Sequence, residues 1–257
     1  MVEAVAWSQD GTQLAAATTD GRVGTVTIHD ATLGYAVERS PQALPGLDRR
    51  LATDPQTPRC LMLRAETLAS QGNWDKAATD IREYLGLPQN KGSRWYQTGW
   101  WVVGPYPESL KERYAPESNP DPSEPVNGAS SQAEPSPPQL HWQPLPLEAN
   151  TQLEFQTVLG NAEHISAYAL RGIYSNGKQK LAFRVAANEP LRLWLNGKSI
   201  HERAATRQDP SGPEILPVTL EAGWNMLLVR VSHGTGAIDF SIGLSDQPLA
   251  PPSQSAN

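Results

Sequence analysis

The sequence predicts a mainly β protein: an antiparallel β-sandwich preceded by an αα-hairpin and a short module of antiparallel strands. Three observations support this fold class. Period-two alternation of apolar residues is clear after residue 153, helical spacing is confined to a window near residues 56–87, and Asp-Gly and Asn-Gly pairs punctuate both β regions. The composition agrees, since the 257 residues include 23 Pro, 20 Gly and 8 Trp but only 3 Phe.

The first region, residues 1–45, alternates short apolar segments with the pairs Asp10-Gly11 and Asp20-Gly21. Asp-Gly favours tight hairpin turns, because both central residues of a type I′ turn adopt positive φ. The pattern therefore predicts a set of short strands in this region.

The second region, residues 55–88, has the spacing of helices. Apolar residues recur every three or four positions over residues 61–68 and again over residues 74–85, with a break at Gly72-Asn73. Each helix is too short to be stable alone in water, so we expect the two to pack as an αα-hairpin.

The third region, residues 95–246, is β again. Within residues 191–195, leucines alternate with Arg192 and Trp194, and similar runs follow in residues 227–244. Alternation gives each strand one buried side and one wet side, which an antiparallel sandwich satisfies. The pairs Asn176-Gly177 and Asn196-Gly197 predict hairpin turns between consecutive strands.

Two segments of the chain are predicted to be disordered. Residues 115–139 contain seven Pro, four acidic residues and no basic residue. Such a segment cannot bury enough apolar surface to offset the entropy of ordering, so a disordered loop is expected. The Pro/Ser-rich tail, residues 247–257, is expected to be frayed.

The first region resembles one blade of a WD-repeat β-propeller. The match is carried by residues 5–11, by Leu14-Ala15 and by Asp20-Gly21, with His29-Asp30 where the repeat usually ends in Trp-Asp. A single blade cannot bury both of its faces. The resemblance therefore implies either the C-terminal piece of a longer propeller protein or strands that pack on the downstream domain.

The other two regions also resemble known modules. The helical region is similar to a single tetratricopeptide unit, which implies a capping or bridging hairpin rather than a peptide-binding superhelix. Residues 95–246 resemble a galactose-binding-like jelly-roll domain of multidomain bacterial proteins, including those of planctomycetes. The tetratricopeptide match rests on Ala65, Leu68, Gly72, Trp74, Ala77, Ile81 and Pro88, and the jelly-roll match on residues 100–107, 167–169, 193–197 and 220–229.

Charge and composition exclude several classes of function. The formal net charge of −6 argues against general binding to a nucleic-acid backbone. No run approaches the roughly 18 apolar residues of a membrane span, and the N-terminus lacks the features of a secretory signal, so a cytoplasmic location is expected. The single cysteine, Cys60, excludes an internal disulfide and a multi-cysteine zinc site.

The sequence predicts no catalytic residue, no metal site and no cofactor. The histidines lack the spacing that would bring metal ligands together; they are His29, His141, His164, His201 and His233. Neither a Gly-x-Ser-x-Gly turn nor a phosphate-binding Gly-rich loop occurs. Carboxylate pairs are interpreted as solvated loop charges rather than as a general acid and base. These pairs are Glu202 with Asp209 and Glu214 with Glu221.

Trp194 is the most informative aromatic residue. If the flanking leucines face the core, its ring faces outward beside Arg192 and Asn196. An aromatic plane next to hydrogen-bonding groups is what a carbohydrate surface requires. The alternative is that Trp194 packs beneath a loop, and the galactose-binding-like resemblance favours this framework role.

We therefore expect a non-enzymatic, modular interaction protein with an unidentified protein partner. The alternative is a carbohydrate-binding module of a multidomain hydrolase. The candidate ligand-binding residues are Trp194, Asn196 and Arg192, which would contact the sugar in the second case. A third class, a hydrolase in its own right, lacks any convergent pattern of acid, base or nucleophile.

Overall fold

A computed structural model describes residues 2–7, 13–19, 24–30, 41–109, 112–129, 137–145, 155, 159–160, 163–187, 189–204, 213–234 and 240–246. The chain divides into two compact units, residues 1–93 and 94–257. The described part is mainly β, with antiparallel sheets and a helical hairpin ahead of a β-sandwich, which confirms the predicted fold class.

The first unit begins with a three-stranded antiparallel sheet. Its strands are β1 (Val2–Trp7), β2 (Gln13–Thr19) and β3 (Gly24–Asp30), and β2 lies in the centre. The register pairs Thr19 with Gly24 and Gln13 with Asp30. The predicted turns at Asp10-Gly11 and Asp20-Gly21 fall outside the described residues, and the resemblance to a WD-repeat blade stays a prediction.

Three helices follow: α1 (Leu44–Thr53), α2 (Pro58–Ser70) and α3 (Trp74–Gly86). Helices α2 and α3 form the predicted hairpin, and Gly72, with a φ of 73°, lies at the break between them. Helix α1 is not among the predicted elements, and Pro45-Gly46 lies in its first turn. Proline is tolerated in a first helical turn, and burial of Leu47 and Leu51 supplies the stabilising contact.

Arg64 ties the three helices together. On α2, its Nε and Nη2 atoms donate to the two carboxylate oxygens of Asp80 on α3, at 2.9 and 2.7 Å, and its Nη1 donates to Asp48 of α1 at 2.9 Å. The hydrogen bond with Asp80 is the main reason that the pKa of Arg64 lies above its ordinary value. Since the Asp80 side chain is only 4% exposed, this bidentate pair is a structural clamp.

In the described residues, the second unit contains twelve strands in two larger sheets and one short ribbon. The seven-stranded sheet has the order β12-β11-β14-β9-β5-β8, with β4 also paired to β9, and the three-stranded sheet has the order β13-β10-β15. The strands are β4 (Trp95–Gln97), β5 (Trp101–Pro107), β6 (Val126–Asn127), β7 (Gln139–Leu140), β8 (Gln143–Pro144), β9 (Ile165–Ser175), β10 (Gln179–Ala187), β11 (Leu191–Leu195), β12 (Lys198–Arg203), β13 (Glu214–Leu220), β14 (Gly223–His233) and β15 (Phe240–Ser245).

The two larger sheets enclose one apolar core. Leu193 and Leu195 of the seven-stranded sheet lie in it, together with Phe183 and Val185 of the opposite sheet. Trp194 does not belong to this core, because successive side chains of a strand point to opposite faces. The face that carries Trp194 is called the outer face below.

The two Asn-Gly pairs have different roles, which corrects the prediction for one of them. Asn196-Gly197 joins the paired strands β11 and β12, and its φ values of 51° and 73° are those of the predicted hairpin turn. Asn176-Gly177 instead connects β9 to β10, which lie in different sheets. It therefore forms a corner between the sheets. Both pairs have the sequence Asn-Gly, so local turn chemistry does not distinguish a hairpin from a corner. Asn176-Gly177 forms a corner because β9 pairs with β14, in a different sheet from β10.

The Pro-rich segment differs from the predicted disorder in its described part. Residues 112–129, called the covering segment below, include a 3₁₀ turn at Ala115–Glu117 and strand β6, which pairs with β7. The prediction assumed that the segment must bury its own apolar surface. Instead the outer face of the sheet supplies the partners, since the Tyr106 hydroxyl donates to the carbonyl of Asn127 at 3.1 Å. The predicted frayed tail, residues 247–257, lies outside the described residues.

No helix in the described part of the chain has the length and hydrophobicity that a membrane span needs.

Candidate binding site

A row of charged and aromatic side chains crosses the outer face of the seven-stranded sheet. Strand register places Glu202 opposite Arg192, Arg192 opposite Arg230, and Arg230 opposite Tyr168. These four residues come from β12, β11, β14 and β9, and they are called the arginine row below. Only tertiary pairing brings them together, because they span residues 168–230 of the chain.

The arginine row contains two like charges side by side. Like charges directly opposite each other on neighbouring strands are destabilising, and each arginine here has its own carboxylate. Arg192 Nη2 lies 2.8 Å from Glu202 Oε1, and Arg230 Nη1 lies 3.0 Å from Glu117 Oε1. The two ion pairs differ in exposure, since the Glu202 side chain is 46% exposed and the Glu117 side chain is 5% exposed.

The accessible end of the row lies on β11 and β12. The guanidinium of Arg192 is 5.8 Å from the centre of the Trp194 ring, within the range of a cation–π contact. The hydrogen bond with Arg192 lowers the pKa of Glu202, and the same bond raises the pKa of Arg192. Glu202 is therefore ionised near neutral pH and is a poor proton donor there.

Trp194 lies on the outer face as the alternation predicts, but its ring is largely covered. The residue is 8% exposed. A sugar ring that stacked on it would have to displace Arg192 or the other groups that cover the indole. The position fits a framework role at least as well as a role in ligand binding.

Asn196 serves the β11–β12 turn. Its backbone has a φ of 51°, which asparagine tolerates better than most residues. Its side chain accepts a hydrogen bond from the backbone N–H of Met226 at 2.8 Å and donates to Asn225 Oδ1 at 3.0 Å. Both polar ends of the side chain are thus engaged within the fold, which leaves it little capacity to orient a ligand.

The covered end of the row lies beneath the covering segment. Glu117 Oε1 accepts hydrogen bonds from Arg230 Nη1 at 3.0 Å and from the Tyr168 hydroxyl at 2.6 Å. The ring of Tyr114 stacks on Tyr106 with centroids 4.7 Å apart, and Arg230 lies 5.0 Å from the Tyr114 ring centre. Burial is the main reason that the pKa of Tyr168 is raised, and burial likewise raises the pKa of Tyr114 to about 12.

Sequence reasoning found Arg192 and Trp194 of this face but missed Arg230, Tyr168 and Glu117. A signal for two of them was present. Arg230 interrupts the apolar strand of residues 227–231, and Tyr168 carries a polar hydroxyl within the apolar run of residues 167–170. Alternation places both on the face opposite the core, because Val229 and Val231 flank Arg230 and Ala167 and Ala169 flank Tyr168 in the core. No local signal marks Glu117, which lies in a Pro-rich segment.

The carboxylates that the sequence suggested as pairs are separate in the structure. Glu214 lies close to Arg203 and has its Oε2 atom 2.9 Å from His201 Nε2, whereas Glu221 pairs with Lys178 at 2.7 Å. Asp209, proposed alongside Glu202, is outside the described residues.

The remaining candidates for metal or thiol chemistry are Cys60 and the histidines. Cys60 is buried in α2, and His164 lies 3.1 Å from Glu108 at the surface. The side chains of His29 and His233 fall outside the described part of the structure. Among the residues that are described, no three His, Cys, Asp or Glu side chains are grouped so that they could hold a metal ion.

A groove of about 390 Å³ opens on the helical part of the first unit. Its lining includes Leu44 and Leu68 together with Lys76 and the clamp of Arg64. The guanidinium of Arg64 is committed to two carboxylates, so it is not available as a free cation. The groove is a concave surface without a convergent set of unengaged polar groups.

Comparisons with known proteins give only partial likenesses. No protein-family model and no curated protein sequence matches the chain. Among solved structures, the chain is similar to a β-glucosidase from Kluyveromyces marxianus, at 12% identity and a TM-score of 0.37 over 58% of this chain. It is also similar to a β-glucuronidase from Faecalibacterium prausnitzii, at 13% identity and a TM-score of 0.33 over 55% of this chain. The chain spans only 16% and 22% of the length of those two proteins.

Proposed function

We propose that the chain is a non-enzymatic interaction module that binds a protein partner through the accessible end of the arginine row. The modular resemblances of its three regions support this reading. The observation that carries the proposal is the ion pair of Arg192 and Glu202, which stays accessible beside Trp194 on a face whose neighbouring part is covered. The side chain of Arg192 is 19% exposed and that of Glu202 is 46% exposed, and an ion pair that solvent reaches can exchange partners with complementary charges on another protein.

The chemistry of the same residues favours binding over catalysis. A general acid needs a pKa near the working pH, and the Arg192 contact moves the pKa of Glu202 in the opposite direction. Arginine and aromatic side chains are enriched where proteins bind other proteins. The face thus has the composition of an interface, with a carboxylate held in its charged form.

A two-variant capture experiment tests this proposal. The full chain, immobilised, is compared with the double variant Arg192→Ala/Glu202→Ala and with a matched control, Lys178→Ala/Glu221→Ala. The control removes another exposed ion pair of the same unit, at 2.7 Å. We expect a partner that binds the wild type and the control but not the first variant. Equal retention on all three would show that the arginine row is not the interface.

A carbohydrate-binding module is the second candidate. The observation that favours it is the position of Trp194, whose indole lies next to the hydrogen-bonding groups of Arg192 and Glu202. Affinity electrophoresis on a panel of polysaccharides separates the two functions. Retardation that is lost in Arg192→Ala and kept in the Lys178→Ala control would support the carbohydrate function. Absence of retardation on every polysaccharide would remove it.

A further inference from the structure

We propose that Arg230 and Tyr168 form a carboxylate-binding site on the outer face of the sheet, and that Glu117 occupies it as an internal ligand which an external carboxylate can replace. The site goes beyond the function proposed above, because it lies under the covering segment and does not depend on the contacts of Arg192.

The two hydrogen-bond donors of this site lie on strands of the sheet, whereas the carboxylate lies on the covering segment. Arg230 on β14 and Tyr168 on β9 are directly opposite in the register of the two longest strands. Glu117 comes from the covering segment, which contributes no strand to the sheet. The donors are therefore fixed by strand pairing, and the acceptor is brought in by a separate part of the chain.

Arg230 is held in place before any carboxylate is added. Its Nη2 atom lies 3.3 Å from Ser166 Oγ, and its guanidinium lies 5.7 Å from the centre of the Tyr168 ring. Its Nη1 atom also donates to the backbone carbonyl of Glu112 at 2.7 Å. A charged group that is 1% exposed and held on several sides needs little rearrangement to bind an anion.

Glu117 leaves part of the site unused. Both hydrogen bonds, from Arg230 Nη1 and from the Tyr168 hydroxyl, are accepted by the same oxygen, Oε1. The Nε atom of Arg230 is buried and has no hydrogen-bond partner among the described residues. Arginine and carboxylate frequently pair through two parallel hydrogen bonds. A carboxylate that is not tethered to residue 117 can adopt such a geometry. The second hydrogen bond with Arg230 would allow it to compete with Glu117 for the site.

The chemistry of the site selects a single negative charge. Glu112 already brings a second carboxylate close by, with its Oε2 atom 2.9 Å from the Tyr114 hydroxyl. A dianion such as phosphate would bring two negative charges to the single guanidinium of Arg230, which is 1% exposed, whereas a monocarboxylate only replaces the charge of Glu117. The expected ligand therefore carries a free carboxylate, as an acidic peptide or a uronic acid does.

Chemical rescue tests the site on the full chain. The substitution Glu117→Ala removes a CH₂–COO⁻ fragment, which acetate matches in size and charge. We expect the variant to be less stable than the wild type in urea, and acetate to raise its midpoint in proportion to the logarithm of its concentration above the dissociation constant. At ten times its dissociation constant, acetate should shift the unfolding equilibrium about 11-fold. Chloride at equal ionic strength is the control for a general salt effect.

A second substitution tests whether acetate binds next to Tyr168. Adding Tyr168→Phe to Glu117→Ala removes one hydrogen-bond donor and should weaken acetate binding about tenfold. If Glu117→Ala does not fold, Glu117→Gln keeps the volume and one acceptor oxygen, and calorimetric titration with acetate replaces the rescue. The proposal is overturned if acetate acts no better than chloride, if Tyr168→Phe leaves its affinity unchanged, or if calorimetry on the variant that folds detects no saturable binding of acetate.

The same variants distinguish the two sources of a carboxylate. N-acetylglycine is compared with its amide, and glucuronate is compared with glucose. The site is supported if either acid binds more tightly than its neutral partner. The acid that binds more tightly shows whether the natural ligand is a peptide carboxylate or a uronic acid. Equal binding of acid and neutral partner in both comparisons contradicts it. None of these outcomes depends on whether Arg192 binds a protein partner.

Discussion

The buried amide of Asn225 offers a sharp test of how the sandwich is held together. Its Nδ2 atom donates to the carbonyls of Glu221 at 2.8 Å, Gly223 at 3.1 Å and Ile173 at 3.4 Å. Its Oδ1 atom accepts from the backbone N–H of Glu221 at 2.9 Å and from Asn196 at 3.0 Å. One side chain thus joins the β13–β14 corner, strand β9 and the β11–β12 turn, and the residue is fully buried.

The substitution Asn225→Asp keeps the shape and the acceptor oxygen but removes the donor. Three hydrogen bonds are lost, of which two are short, and a net value of about 1 kcal/mol for each short bond gives about 2 kcal/mol. A charged carboxylate would also face carbonyl oxygens without access to water, which adds a further penalty. We expect the free energy of unfolding to fall by about 3–5 kcal/mol at neutral pH.

The loss in the free energy of unfolding caused by Asn225→Asp should depend on pH. Burial beside carbonyl oxygens raises the pKa of the new carboxyl in the folded state above the roughly 3.9 of the unfolded chain. A group with a raised folded pKa favours folding below the unfolded value and loses that contribution as the pH rises through the folded value. The variant should therefore be closest to the wild type near pH 4 and fall further below it toward neutrality, which urea titrations at several pH values measure.

Asn196→Asp is the matched control for this prediction. It removes only the bond from Nδ2 of Asn196 to Asn225, keeps the oxygen that accepts from Met226, and lies at an exposed turn. We expect a loss of about 1 kcal/mol. A loss for Asn225→Asp that equals the loss for Asn196→Asp, or that does not vary with pH, would refute the reasoning.

Three further predictions concern other parts of the fold. Trp101→Ala removes a side chain that is 1% exposed and should lower the stability of the chain by about 3–5 kcal/mol in urea titrations; an unchanged midpoint would contradict this placement. Arg64→Met leaves the buried carboxylate of Asp80 unpaired and should cost about 3–5 kcal/mol, whereas Asp48→Asn, at a carboxylate that is 62% exposed, should cost less than about 1 kcal/mol; equal losses would refute the clamp. Tyr114, with a pKa raised to about 12 mainly by burial, should stay protonated well above its ordinary 10.0 in an ultraviolet titration. Because the folded pKa is raised, this contribution to stability is complete below pH 10 and lost toward pH 12. Since the chain has 7 Tyr, the titration is compared with that of Tyr114→Phe, and the loss of an ionisation near pH 10 in this variant would contradict the burial.

Local patterns were sufficient for most of the strands and helices. Alternation in residues 191–195 predicts which side of β11 faces the core, because the period of a strand is two and does not depend on the partner. The helical spacing of residues 61–85 predicts α2 and α3 for a similar reason, since the apolar stripe is a property of the segment itself. Helix α1 is absent from this prediction, although burial of Leu47 and Leu51 stabilises it in the fold.

Features that join distant segments were decided only by the tertiary structure. Asn176-Gly177 and Asn196-Gly197 have the same local chemistry, yet one is a corner between sheets and the other a hairpin, because strand pairing is a long-range choice. The position of Arg230 beside Arg192 depends on the same pairing. Composition alone predicts disorder for the segment that carries Glu117, since it takes no account of the partners that another part of the chain supplies. The sequence by itself therefore determines most of the elements and the buried sides of strands such as β11. The fold decides which charges meet, because Coulomb interactions and hydrogen bonds depend on distances that only the folded chain defines.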